Sequence, residues 1–274
     1  MDIRNTRQLK DFSAGRLANA REGQKIILYF SLITIAVSAV ATVVSYILSQ
    51  QIAKTGGATY TYDLNNAGEP ETFPLTEGDG TYSVKVFENT NGSKYAQAYS
   101  TSVKMTLRND FLPFLYSNQY VNYTADSATA AQAAELCQDA SGDLDKVGKV
   151  FDFVVDHFTY DYDKASTVSS GYLPVVDDIL AAKKGICFDY AAVMTAMLRS
   201  QNIPCKLVVG YAGTVYHAWI DVYVDGTGWI AGAIRFDGKD WTLMDPTFVS
   251  SGKRSPSIME YVTTDSNYSQ KYAY

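Results

Sequence analysis

Residues 185–211, GICFDYAAVMTAMLRSQNIPCKLVVGY, decide how this chain folds. After Gly185 the apolar residues Tyr190, Val193, Met194, Met197 and Leu198 recur at three- and four-residue steps, a helical stripe. Asn202 and Pro204 stop the helix, and Cys205–Tyr211 then reads as a strand. Downstream the pattern stays β. His217–Val224 alternates, Asp225-Gly226-Thr227-Gly228 turns, Trp229–Phe236 follows, and Asp237-Gly238 leads into Trp241–Met244. Upstream, Leu144, Val147, Phe151, Val154 and Phe158 form an amphipathic helix with Asp143 and Asp145 at its positive end. Helices followed by an antiparallel sheet make the fold class α+β.

Within this frame three residues suit one chemistry. Cys187 sits at the mouth of the second helix, where free backbone N–H groups and the helix dipole favour a thiolate, with Gly185 leaving room for a substrate backbone. Taken alone, a helical cysteine is more often a small buried hydrophobe. His217 opens a strand in which Ala218, Ile220, Val222 and Val224 face the core, so His217, Trp219, Asp221 and Tyr223 point the other way. If that second face lines a cleft, His217 is a base; otherwise it is an exposed strand end. Asp245 precedes Pro246, which holds it extended at a strand end, although Asp-Pro also opens ordinary turns. Together the three supply nucleophile, base and orienter. The other histidine, His157, falls near the end of the first helix and suits its C-terminus better than catalysis.

GICFDYAAVMTAMLRSQNIPCKLVVGY, YHAWIDVYV and WTLMDPTF resemble the transglutaminase-like family of papain-type cysteine enzymes. The resemblance rests on Gly185, Cys187, Asp189, Tyr190, Ala191, Ile203, Pro204, Gly210, Tyr211, His217, Ala218, Trp219, Asp245, Pro246 and Thr247 and covers about residues 127–250. It implies a papain-like core of helices on an antiparallel sheet, with Cys187, His217 and Asp245 as catalytic residues. Two departures stand out. Cys205-Lys206 replaces the family's usual Ala-Arg, and Ile230–Asp240 is inserted before Asp245, read here as an extra hairpin. The Cys187 backbone N–H is the default oxyanion donor, with Tyr160 or Tyr162 as a second. Asp189 reads as a first-turn acid rather than a substrate contact.

Charge and hydropathy place the domain. Between Lys25 and Lys54 there is no charged residue, and Ile26–Leu48 is long enough, at about 35 Å as a helix, to cross a hydrocarbon core of roughly 30 Å. It exceeds a signal-peptide apolar region, so an uncleaved anchor is expected. Six bases against three acids in residues 1–25 keep that tail cytoplasmic and export the remainder. The organisation expected is a tail over 1–25, a transmembrane helix over 26–48, a linker and small β module over 49–125, and a catalytic domain over 126–274. Lys54–Leu75 reads as linker, and Tyr82–Phe87 and Tyr95–Leu107 as strands of a module without His or Cys, a spacer or binding unit.

The net charge of −6 argues against a nucleic-acid partner. No CxxC or HxxxH spacing occurs, so neither metal nor cofactor is expected, although Cys187, Cys205 and His217 are the nearest thing to a ligand set. Three cysteines leave at least one unpaired, and export leaves room for a Cys137–Cys205 disulfide. The function expected is a membrane-anchored, extracytoplasmic thiol enzyme that attacks amide bonds of a protein or cell-wall peptide, by hydrolysis or transamidation. The alternative is an inactive binding or structural module on the same scaffold.

Overall fold

The computed structural model describes residues 48–65, 69–231, 234–236, 241–243 and 267–274, with 234–236 and 241–243 as backbone. The expected anchor thus lies outside the described residues except for Leu48, which opens a strand rather than ending a helix. Among the described residues no helix is long and apolar enough to cross a membrane.

The first sheet holds β1 (Leu48–Lys54), β2 (Thr59–Leu64), β3 (Gly80–Asn91) and β4 (Lys94–Met105), antiparallel in the order β2-β1-β3-β4. Strand β2 falls within Lys54–Leu75, where linker was expected, and β1 lies just before it. The signal was short but present: Thr59-Tyr60-Thr61-Tyr62 alternates, and Tyr60 and Tyr62 are the buried pair. β3 and β4 meet at Asn91↔Lys94 across Gly92-Ser93, and Gly92, at φ 57°, takes the left-handed turn. This sheet does not stand apart. Ile52, Tyr60, Tyr62, Tyr82 and Val84 belong to one hydrophobic core with the helices described next.

The helical layer comprises α1 (Ala128–Cys137), α2 (Asp143–His157), α3 (Tyr162–Thr167), α4 (Val176–Ala182) and α5 (Cys187–Ser200). α2 buries Val147, Val150, Phe151, Val154 and Val155 along one stripe, as its spacing requires. α5 is different: Tyr190 to Leu198 is almost wholly buried around the whole circumference, alanines included. A helix apolar on every side is a central one, and α5 packs on α1, α2 and α4 on one side and on the main sheet on the other. It ends as the sequence indicated. Asn202 turns left-handed at φ 62°, and Ile203 N–H donates back to the Leu198 carbonyl.

The main sheet runs β12-β7-β8-β9, with β7 (Cys205–Ala212), β8 (Val215–Val224), β9 (Gly228–Ile230) and β12 (Tyr268–Ala273). Between β9 and β12 the chain forms β10 (Ile234–Phe236) and β11 (Trp241–Leu243), an antiparallel pair of their own. This is the extra hairpin expected of the insertion; of the single strand expected over Trp229–Phe236, the described residues form β9, which ends at Ile230, and β10. β12 gave no clear sequence signal, yet it pairs with β7, and its Ser269 carbonyl lies so close to Gly210 that a Cβ there would overlap it. The fold is therefore α+β with antiparallel sheets, as read from the sequence.

Candidate active site

Short elements build the mouth of α5. β5 (Thr159–Tyr160) pairs in parallel with β6 (Lys184–Gly185), and the Asp161 N–H donates to the Gly185 carbonyl. Asp161 then caps α3, accepting from Lys164 N–H at 3.0 Å, and its carboxylate meets Lys184 at 3.2 Å. The Lys164 N–H leads the bonds that hold the Asp161 carboxyl below the usual carboxylate range. Ile186 follows as the N-cap in extended conformation, and Cys187 is the first helical residue, half-buried.

Asp189, two residues further on, is fully buried. Its carboxylate accepts from the Ile186 N–H at 2.9 Å, from the Tyr172 hydroxyl at 2.7 Å and from the Lys164 ammonium at 2.6 Å, while Lys164 also reaches the Tyr172 oxygen at 2.6 Å. Asp189 is thus a first-turn acid, as expected, and beyond that a cap and the centre of a network. Gly185 has a different reason from the one expected. A Cβ there would stand 2.5 Å from the Asp189 Cβ and 2.8 Å from its Oδ2, so the space above Gly185 is filled by Asp189 and is not left for a substrate.

The three thiols occupy three environments. Cys137 and Cys205 are buried and unpaired, so the Cys137–Cys205 disulfide does not form; they sit on α1 and β7 with their side chains committed to the core. Burial raises the Cys137 thiol and pushes Cys205 up to about 12. Cys187 alone of the three is not buried. Tyr160 lies close enough to Cys187 to respond to its charge. Burial first, and a thiolate at Cys187 next, push this phenol up to about 12, so it stays a hydrogen-bond donor. Tyr216 is raised by burial too, against an opposing pull from Lys271, and Cys187 adds a small push in the same direction as burial. The mouth of α5 and the start of β8 are therefore within electrostatic range. Tyr162, by contrast, is 70% exposed and stacks edge-on to Tyr160.

His217 pairs with Gly210 in the β7–β8 register, and its ring lies 24° from that of Trp219 at 6.4 Å. It shares the strand face of Trp219, as alternation requires. That face is not an open cleft: His217 is 5% exposed, Trp219 packs edge-on against Tyr268 of β12, and Asp221 is buried as well. The strand is covered on both sides, which the alternating pattern could not reveal because a tryptophan and a histidine read as the outer face. Asp245 lies outside the described residues. His157 is exposed and its Nδ1 donates to the Phe153 carbonyl at 2.8 Å, a local helix-end bond. Among the described residues no group of three or more His, Cys, Asp or Glu could hold a metal ion.

Residues missed by sequence reading are Lys164 and Tyr172. Both lie in segments without clear periodicity, and only the fold brings them onto Asp189.

Residues 130–232 match the model of the Transglutaminase-like superfamily, so this stretch carries a transglutaminase-like domain. The chain is 26% identical over 194 residues to the uncharacterized protein YebA of Bacillus subtilis, covering 60% of this chain and 25% of that protein. It is 28% identical over 149 residues to the human kyphoscoliosis peptidase, covering 50% and 20%. The chain thus spans a quarter or less of these curated relatives. Among solved structures, a candidate cysteine protease from Cytophaga hutchinsonii aligns at a TM-score of 0.44 and 15% identity, over 83% of this chain and 78% of that one.

Proposed function

We propose that this protein cleaves or transfers amide bonds through a thioester on Cys187. One observation carries the reading. Of the chain's three thiols, only Cys187 escapes burial, and it does so at the first position of a buried helix, where backbone N–H groups and the dipole favour the anion. His217 takes the thiol proton, the thiolate attacks the carbonyl carbon, and the imidazolium returns that proton to the departing amine. Asp245 orients the ring. Water or a second amine then releases the acyl group, so the outcome is hydrolysis or transamidation. The Cys187 N–H and the Tyr160 hydroxyl, kept protonated, stabilise the oxyanion. The substrate is a protein or cell-wall peptide outside the cytoplasm, with the apolar run before β1 as the membrane anchor.

A second reading, a binding or structural module on the same scaffold, draws on the closed face around His217. One experiment separates the two. Incubation of the protein with iodoacetamide at neutral pH is expected to label Cys187 well before Cys137 and Cys205. A peptide mixture with and without a primary amine, read by mass, is expected to yield cleavage, deamidation or amine adducts that vanish in Cys187→Ala. Uniformly slow labelling and no product in either mixture would leave the scaffold reading standing.

A further inference from the structure

The Asp189 carboxylate is a buried charge two residues from the proposed nucleophile and on the same helical turn. Unopposed, it would work against a thiolate, since like charges in a poorly hydrated site raise each other's proton affinity. Among the described residues one ammonium opposes it. Lys164 reaches it at 2.6 Å from α3, a separate element that is itself pinned by the Asp161 cap. We propose that Lys164 is a positioning residue for Cys187, whose ammonium neutralises Asp189 and so permits the mouth of α5 to hold an anion. The inference rests on the thiol reading above and extends it to a residue outside the three carried by the family resemblance.

The surroundings of Cys187 support a local balance rather than a general field. β5 contributes Tyr160, a neutral donor, and β6 contributes Lys184, committed to Asp161. β8 contributes Tyr216, which responds to charge at Cys187, and α5 itself adds Asp189 and Tyr190; His217, the proposed base, lies on the same strand. Tyr172, from the loop after α3, donates to Asp189, and its burial followed by that bond raises its own phenol, so it adds no charge. Lys164 is thus the cation that meets the Asp189 carboxylate directly. Being only partly exposed, it is screened less than a surface lysine.

The test is the pH dependence of Cys187 alkylation by iodoacetamide, followed by mass on the full chain, in Lys164→Met, Lys164→Arg, Asp189→Asn and the double variant Lys164→Met/Asp189→Asn. Lys164→Met is expected to move the labelling midpoint up by about one pH unit, close to a tenfold loss of rate at neutral pH. Asp189→Asn is expected to move it down, the double variant to return it towards wild type, and Lys164→Arg to leave it nearly unchanged. Two single variants that break the same contact yet shift the midpoint in opposite directions cannot be explained by a mechanical tie. Shifts in the same direction, or none, would overturn the inference, and Asp189→Asn alone decides it if Lys164→Met fails to fold. Rapid wild-type labelling with unmoved midpoints overturns this inference only; wild-type Cys187 as slow as Cys137 and Cys205 overturns the thiol reading and this one together.

Discussion

Gly185→Ala makes the sharpest structural prediction. The added methyl would stand 2.5, 2.8 and 3.1 Å from Asp189 Cβ, Oδ2 and Cγ, where carbon–carbon contact begins near ~3.5 Å. A flexible side chain could step aside; Asp189 cannot. It is held by Ile186, Tyr172 and Lys164 together, and moving it breaks three charge-assisted bonds in a buried site. Overpacking of this kind costs about 1–3 kcal/mol. For a chain of this size that is a fall in Tm of roughly 3–10 °C. Whatever part of the strain is relieved by backbone movement displaces Cys187, and a displacement of ~1 Å costs roughly a hundredfold in rate. Gly148→Ala is the control. That glycine lies inside α2 with nothing within 4 Å of a built Cβ, so alanine should stabilise by about 0.5–1 kcal/mol. Thermal unfolding and Cys187 labelling of both variants form the assay. Equal Tm and equal labelling in Gly185→Ala and wild type would refute the claim that Gly185 exists to admit Asp189.

Tyr160→Phe removes a protonated donor beside Cys187 and is expected to lower kcat on the order of a hundredfold with little change in KM, measured on any peptide that wild type turns over. Arg199→Met should cost about 3 kcal/mol in denaturant unfolding, because the buried guanidinium, lowered by that burial to about 10, donates to the carbonyls of Cys205, Tyr116 and Tyr274. Burial works against the Asp177 anion, yet hydrogen bonds from Thr129 and Ala128 outweigh it and hold the carboxyl below the usual range. A depressed folded-state pKa contributes stability that is present above the unfolded value of about 4 and is lost as pH falls through the folded value. Asp177→Asn should therefore destabilise by about 1 kcal/mol at pH 7 and by little near pH 2, and an equal effect at both pH values would count against it.

Elements with strong local signals were legible. α2 has both a stripe and acids at its start, α5 has a stripe and a left-handed stop, and β8 alternates. What escaped reading was set by packing at a distance. β12 is a run of Tyr, Ser, Gln and Lys that becomes a strand because β7 offers it an edge, with Gly210 clearing the path of its backbone. α1, α3 and α4 are short, and their periodicity is too brief to stand out. The first sheet looked like a module in its own right because its strands alternate; its tyrosines show otherwise. Tyr60 meets Tyr272 and Tyr274 edge-on, and Tyr62 meets Tyr120 and Tyr274. At the site, Cys187 was placed on the right turn of the right helix. The buried side of His217 was not foreseen, since polarity alone cannot distinguish a solvated face from one covered by another part of the chain.

Tyr120 carries the consequence furthest. Its ring lies 4.2 Å from Tyr274 and 5.9 Å from Phe188, the residue beside Cys187, while its hydroxyl donates to the Thr61 carbonyl of β2 at 2.9 Å. Phe188 in turn meets Tyr172, the donor to Asp189. One face of the helix mouth is thus supported by the first sheet and the C-terminal strand, and the other by the Lys164–Asp189 pair. Both sets of supports extend beyond the nearest sequence neighbours of Cys187, and the first sheet and β12 lie outside the stretch matched by the family model. A helix N-terminus gives a thiol its favourable field only while the backbone around it stays in place. The surrounding aromatic packing and the buried ion pair are what hold it there.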